Sequence, residues 1–326
     1  MQQLRRDFAN PPAAFRGAPF WSWNDRLDPA ELVRQARDMK AHGMGGFFMH
    51  SREGLETVYM GPEWMACIRA VVQAAREEGL HAWLYDEDRW PSGTAGGLVP
   101  ARGGDDFRAK MLTLEQAEAF PAQAGGLLAV FAAVMDGGRL LSARRLLQPD
   151  AARAGETLLI FRRRVSDPGE WFNDDTYSDN LNPEAVAAFL DITYRAYHNE
   201  VREDIGGAVP GIFTDEPNVF ALRGAEGVRK LPWTDALPQL FLARRGYDLL
   251  DVLPWLFYEG EFAAKTRHDY WWTVSERFTE AYSKQLGEWC EAHGLAFTGH
   301  YLYENDLGRA ILHGGAMMPH YRYQQV

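Results

Sequence analysis

The chain has 326 residues, 46% hydrophobic and 24% charged, enough apolar material to bury a large core in one big domain or two smaller ones. Its formal net charge of -11 at pH 7, with no long basic run, argues against nucleic acid or an anionic membrane as partner, because phosphate binding needs clustered Lys and Arg. The two cysteines, Cys67 and Cys290, lie far apart inside helical patterns and read as reduced core residues, not as a disulfide framework or thiolate metal site.

The N-terminal MQQLRRDFANPPAAFRG lacks the apolar run of a secretory leader, and no stretch of about 18 apolar residues could span a bilayer. The expectation is a soluble cytoplasmic chain, or a periplasmic or secreted one if a leader precedes it. Pro19 to Asn24 (PFWSWN) reads as a first strand. Asp28-Pro29-Ala30-Glu31 then offers an N-cap, a proline at the first helical position and a capping-box glutamate. Leu32, Val33, Ala36 and Met39 form that helix's apolar face, and Gly43 supplies a left-handed stop.

Met44 to Ser51 (MGGFFMHS) is a near-continuous apolar run, as expected of a parallel strand buried on both faces, with His50 at its carboxyl end. A helix from Pro62 carries Trp64, Met65, Ile68, Val71 and Val72 on one face and stops at Gly79; the third strand, His81 to Glu87, again ends in charge. The glycine-rich stretch Gly93 to Gly104 has no P-loop lysine and reads as a flexible loop. Alternating stretches at 108–114, 127–135 and 157–165, with a hairpin turn at Asp136-Gly137-Gly138, predict a small β insertion over 105–170. Asn182 and Pro183 open a helix through about Asp204, before a fourth strand at Pro210 to Glu216. A long helix from His268 to His293 stops at Gly294, followed by a fifth strand, Leu295 to His300, and a sixth around Met318 to Tyr323.

Strand and helix in regular alternation, with no dinucleotide fingerprint after the first strand, point to an α/β fold of the (β/α)8 TIM-barrel type, incomplete at its C-terminus. Residues 1–104 form its first part, 105–170 the insertion after the third strand, and 171–326 the continuation. In such a barrel the active site lies at the carboxyl ends of the strands. Those ends supply Trp21, Trp23 and Asn24; His50; Asp86, Glu87, Asp88 and Trp90; Asp215, Glu216 and Asn218; and His300 and Glu304.

An acidic, aromatic collection of this kind suits glycoside cleavage, which needs two carboxyl groups across the scissile bond. The 11 Trp, 13 Tyr and 18 Phe add flat faces on which sugar rings stack, although most must fill the core. Glu216 directly follows the apolar GIFTD and is the preferred catalytic carboxylate over Asp215, since neighbouring strand residues face opposite ways unless the strand has ended. The dense turn at Asp86, Glu87 and Asp88 could hold sugar hydroxyls, a Ca²⁺ ion, or only internal salt bridges. His50 and His300 could donate to hydroxyls or be structural.

Five blocks in order, PFWSWND, GGFFMHSREGLET, AWLYDEDRWPSG, GIFTDEPN and TGHYLYEND, resemble glycoside hydrolase family 106, the α-L-rhamnosidase group. The resemblance runs from about Phe15 to the end and implies a barrel that continues past Val326. It further implies inverting, Ca²⁺-assisted hydrolysis of a terminal α-L-rhamnoside, with Glu216 as a catalytic glutamate. Glu304 is the best second carboxylate within the chain. Trp21, Trp23, Asn24, His50, Asp86, Glu87, Trp90, Asp215, Asn218 and His300 are the expected substrate contacts. The alternatives are a hydrolase for another sugar, a non-catalytic carbohydrate-binding barrel fragment, and a metal-dependent hydrolase or isomerase using His50, Asp86 and His300.

Overall fold

A computed structural model describes residues 1–148 and 152–326. Residues 149–151, within the expected insertion, lie outside the described residues. Five strands, β1 (Phe20–Trp23), β2 (Gly46–Ser51), β3 (His81–Tyr85), β8 (Gly211–Asp215) and β10 (Ala296–His300), form one parallel sheet in the order β1-β2-β3-β8-β10. This is an open sheet with the strand order of a barrel; a closed barrel would need eight strands. The expected sixth strand is instead a short helix, Met318–Tyr321. Past it, the Gln325 N–H donates to the Phe297 carbonyl at 3.0 Å, so the last residues run along the free edge of β10.

Each strand is followed by helix where the sequence places the stop and start signals. Asp28 caps the helix Pro29–Ala41 by accepting from the Ala30 N–H at 3.1 Å, and Leu32 and Ala36 are buried against the sheet. The helix Pro62–Glu78 ends on Gly79 at φ 64 and buries Trp64, Met65, Ile68, Val71 and Val72. The helix opened by Asn182 and Pro183 is shorter than the pattern predicts. It ends at Ile192, where the Thr193 hydroxyl bonds back to the Phe189 carbonyl at 2.8 Å, and a second helix runs Tyr194–Glu200. The long C-terminal helix starts earlier, at Ala263, and carries a π turn at Thr279–Lys284.

The antiparallel sheet has the order β6-β5-β7-β4-β9, from β4 (Lys110–Ala117), β5 (Leu127–Asp136), β6 (Arg139–Leu146), β7 (Glu156–Val165) and β9 (Arg229–Trp233). Asp136 pairs with Arg139 across Gly137 and Gly138 at φ 53 and 86, the two-residue hairpin that the sequence predicts. β9 comes from well beyond residue 170, so the sheet is not confined to the 105–170 segment. Among the described residues no helix is long and apolar enough to cross a membrane. Cys67 and Cys290 are free and buried.

Side chains alternate across the parallel sheet, one face under the helices and the other on a concave surface. Trp23 is 1% exposed and packs on Trp64 with ring centroids 5.1 Å apart, while Trp21 donates from Nε1 to Gln35 on the helix Pro29–Ala41. Phe20 turns to the concave side, 4.9 Å from Phe213 and 5.0 Å from Phe48. Removing a buried indole leaves a cavity, so Trp23→Ala is expected to cost about 3–5 kcal/mol in urea denaturation. Ser22→Ala, one residue earlier on the open face, should stay within about 0.5 kcal/mol.

Candidate active site

The carboxyl ends of the five parallel strands open into a cleft of about 480 Å³. Phe20 and Ser22 reach it from β1, His50 and Arg52 from the end of β2, Asp215 and Glu216 from the end of β8, and His300 from β10. Trp90 and Trp171 close one side. Both acidic residues after GIFT reach the cleft because the strand stops at Asp215. Glu216 then adopts a left-handed φ of 48, with its N–H donating to the His300 carbonyl at 3.0 Å. A left-handed glutamate is costly and persists only where its surroundings hold it.

Gly299 brings β10 against β8. Its φ is 146, and a Cβ there would lie 2.1 Å from the Thr214 carbonyl oxygen, so glycine alone lets His300 fall in register with Asp215. His300 Nε2 donates to Asp215 Oδ1 at 2.8 Å, and the Tyr85 hydroxyl donates to Asp215 Oδ2 at 2.7 Å. Burial alone would push the Asp215 carboxyl up, but the bonds from His300 and Tyr85 outweigh it and hold the group below its ordinary range. The Asp215 hydrogen bond raises His300 above its ordinary 6.5, against burial and with help from the nearby Glu216 and Glu304 charges. The pairing thus favours the charged form of each group, carboxylate and imidazolium.

His50 is the opposite case. It is 5% exposed, stands 4.0 Å from the Tyr85 ring, and has no hydrogen-bond partner on either ring nitrogen among the described residues. Burial first, then the charge of Arg52, lowers it to about 4, so it is a neutral imidazole whose two nitrogens are shielded from solvent. Glu216 itself is held from the side, Trp90 Nε1 donating to its Oε2 at 2.8 Å.

The acidic turn does not face the cleft. Asp86 and Glu87 are fully buried. Asp86 accepts from Ser92 at 2.6 Å and from Tyr194 at 2.7 Å, and Glu87 is ringed by backbone N–H groups. Burial pushes the two carboxyls up, while the hydroxyls at Asp86 and the six N–H groups around Glu87 pull the other way; with every Glu87 contact a donor, its geometry is that of a carboxylate. Asp88 accepts from Ser51 at 2.6 Å and from Asn173 at 3.2 Å. Oxygens engaged in this way do not converge as ligands for calcium. Nor does Asp86 join His50 and His300; among the described residues no group of three or more His, Cys, Asp or Glu could hold a metal. The stretch from Gly93 is no loose loop either, because Gly93, Thr94 and Ala95 are buried and Leu98–Gly103 is helical.

Of the other expected contacts, Trp21 and Trp23 lie under the helices, and Asn24 is exposed on the loop beyond β1. Asn218 is buried, its amide donating to the Glu216 carbonyl at 3.2 Å and its oxygen accepting from the Phe220 N–H. Glu304 stands at the rim, 3.8 Å from His300 Nδ1, and accepts from the Tyr301 N–H at 3.2 Å and from the Tyr321 hydroxyl. The strand-end reading passed over Phe20, Ser22, Arg52, Tyr85 and Trp171. With Trp23 assigned to the helix side, the alternation gives Ser22 and Phe20 to the open face, and Arg52 lies two residues past His50. Trp171, in the short 3₁₀ turn Glu170–Phe172 beyond the insertion, carried no such signal.

No protein-family model matches the chain, and no curated protein sequence matches it. Among solved structures it is similar to a rhamnosidase from Novosphingobium sp. PP1Y, with a TM-score of 0.64 and 13% identity, over 98% of this chain and 49% of that one. The chain thus spans about half the length of that rhamnosidase, and at this identity the likeness shows a shared α/β fold alone.

Because Asp215 is shifted down, its contribution to stability is present above its unfolded pKa and lost as pH falls through the folded one. Because His300 is shifted up, its contribution is full below 6.5 and lost as pH rises through its folded pKa. Asp215→Asn is therefore expected to lower the His300 midpoint in an NMR titration. Its stability deficit against the parent protein should be largest between the two folded pKa values and shrink at alkaline pH. An unmoved His300 midpoint would break the pairing.

Proposed function

We propose that this chain carries the catalytic cleft of a glycoside hydrolase acting on a terminal, α-L-rhamnoside-like sugar, with Glu216 as a catalytic carboxylate. The observation that carries this is the placement of Glu216. A strained left-handed backbone turns it into a cleft already floored by Phe20 and walled by Trp90 and Trp171, beside the hydrogen-bonded Asp215–His300 pair. Apolar ring faces next to carboxylates and neutral hydrogen-bonding groups are the chemistry that a sugar ring requires.

In this scheme the sugar stacks over the aromatic surface, with neutral His50 lining the cleft. Glu216 acts at the scissile bond. Glu304, anchored by Tyr321 and the Tyr301 N–H, is the proposed second carboxyl group. An inverting pair leaves room for water at about 6.5–9.5 Å between carboxyls, and inversion is the outcome proposed here. The likeness in fold to a rhamnosidase supports the choice of sugar.

The test is release of 4-nitrophenol from 4-nitrophenyl α-L-rhamnoside. Glu216→Gln should lower kcat/KM by roughly 10²–10⁴-fold, the worth of a positioned acid or base, while sugar binding persists. Glu304→Gln should do the same if it completes the pair. Full turnover in Glu216→Gln would sink the assignment, and binding without turnover in the parent protein would favour a carbohydrate-binding module.

A further inference from the structure

Asp86 and Glu87 are both fully buried, yet neither points into the cleft. Glu87 Oε1 accepts from the N–H groups of Asp88 at 2.9 Å, Arg89 at 3.3 Å and Gly96 at 2.6 Å. Its Oε2 accepts from Gly93 at 3.1 Å and from Thr94 and Ala95, each at 2.8 Å. One carboxylate therefore ties together both ends of the turn that follows β3. The N–H groups can converge because Gly93 and Gly96 sit at φ 125 and 61 and Ala95 accepts a left-handed φ of 50.

Between those two anchored ends lie only Trp90, Pro91 and Ser92. Ser92 is fastened in turn: its N–H donates to the Asp215 carbonyl at 2.9 Å, and its hydroxyl accepts from the Asp215 N–H at 2.8 Å and donates to Asp86 at 2.6 Å. The Trp90 carbonyl accepts from the Trp171 indole. Held at both ends and in the middle, Trp90 has little freedom, and its one polar group donates to Glu216 Oε2.

We propose that Glu87 is a positioning residue: by gathering the backbone N–H groups of the turn 88–96, it fixes the Trp90 indole against Glu216 and so sets the direction of that carboxylate in the cleft. This rests on the proposed role of Glu216 as the reacting group. A carboxylate accepts only, and six N–H donors leave no place for the NH₂ of a glutamine. Glu87→Gln therefore opposes the gathering with almost no change in size.

The chain's 11 Trp give separate indole N–H signals in a ¹H–¹⁵N spectrum, and Trp90→Phe identifies its own by deletion. In the parent protein the Trp90 signal should lie downfield, as for an indole that donates to a carboxylate, and Glu216→Gln should move it. In Glu87→Gln the Trp90 signal should shift upfield, while the indole signals other than those of Trp90 and Trp171 keep their places and report an intact fold. A merely structural Glu87 would lower stability and leave the Trp90 signal where it was, which overturns the proposal. Should Glu87→Gln not fold, Glu87→Asp keeps the charge but shortens the reach; a displaced Trp90 signal supports the proposal and an unmoved one overturns it. Turnover of 4-nitrophenyl α-L-rhamnoside tests the role of Glu216 separately: a displacement of about 1 Å costs roughly 10²-fold in rate, so kcat should fall by that order in Glu87→Gln with KM nearly unchanged. A parent protein without turnover would remove the role of Glu216 and leave the indole experiment to decide the positioning.

Discussion

A parallel strand packed under helices has one face that must be apolar and dry, and the two-residue period of its side chains then leaves the other face to the concave side. The strand residues of the cleft follow from that parity. In β1 it sends Trp21 and Trp23 beneath the helices and Phe20 and Ser22 to the open face. In β2 it buries Phe47 and Met49 and gives His50 to the cleft; in β8 it buries Ile212 and Thr214 and presents Phe213 and Asp215. The register between strands lines these choices up, so that His300 stands opposite Asp215 and Ser22 opposite His50.

Parity also explains why the strained position is Glu216. A regular continuation of β8 would send the residue after Asp215 back under the helices, where a carboxylate is costly. Ending the strand and turning through φ 48 keeps it in the cleft, held by its N–H bond to the His300 carbonyl and by the Trp90 indole. The buried turn at Asp86 and Glu87 lies beneath this arrangement. Its charges meet backbone N–H groups and hydroxyls, the condition under which carboxylates can be kept in an interior at all.

Much of this was legible in the sequence. Stop and start signals such as Asp28-Pro29, Gly79 and Asn182-Pro183 mark the helices, the apolar runs mark the five parallel strands, and Asp136-Gly137-Gly138 marks the hairpin. What misled was reading the end of a strand as a position in the cleft without counting which face each residue took. Trp23 and Glu87 stand at strand ends yet are buried. The π turn, the break at Thr193 and the entry of β9 into the antiparallel sheet depend on tertiary contacts that no local pattern encodes. The helix at Met318–Tyr321 replaces a strand because Met-Pro-His-Tyr has apolar character but a proline at its first turn, which suits a helix start.

The two histidines of the cleft show how one scaffold can shift imidazoles in opposite directions at its strand ends. His50 is buried, with no carboxylate bonded to it among the described residues and with Arg52 nearby, so desolvation and repulsion act in the same direction and favour its neutral form. His300 is less buried and bonded to a carboxylate with two more within electrostatic reach, so its protonated form is favoured. One strand end thus carries a neutral imidazole and another a hydrogen-bonded pair of imidazole and carboxylate. The bond from His300 offsets part of the negative charge of Asp215, which eases the placing of a further carboxylate, Glu216, beside it.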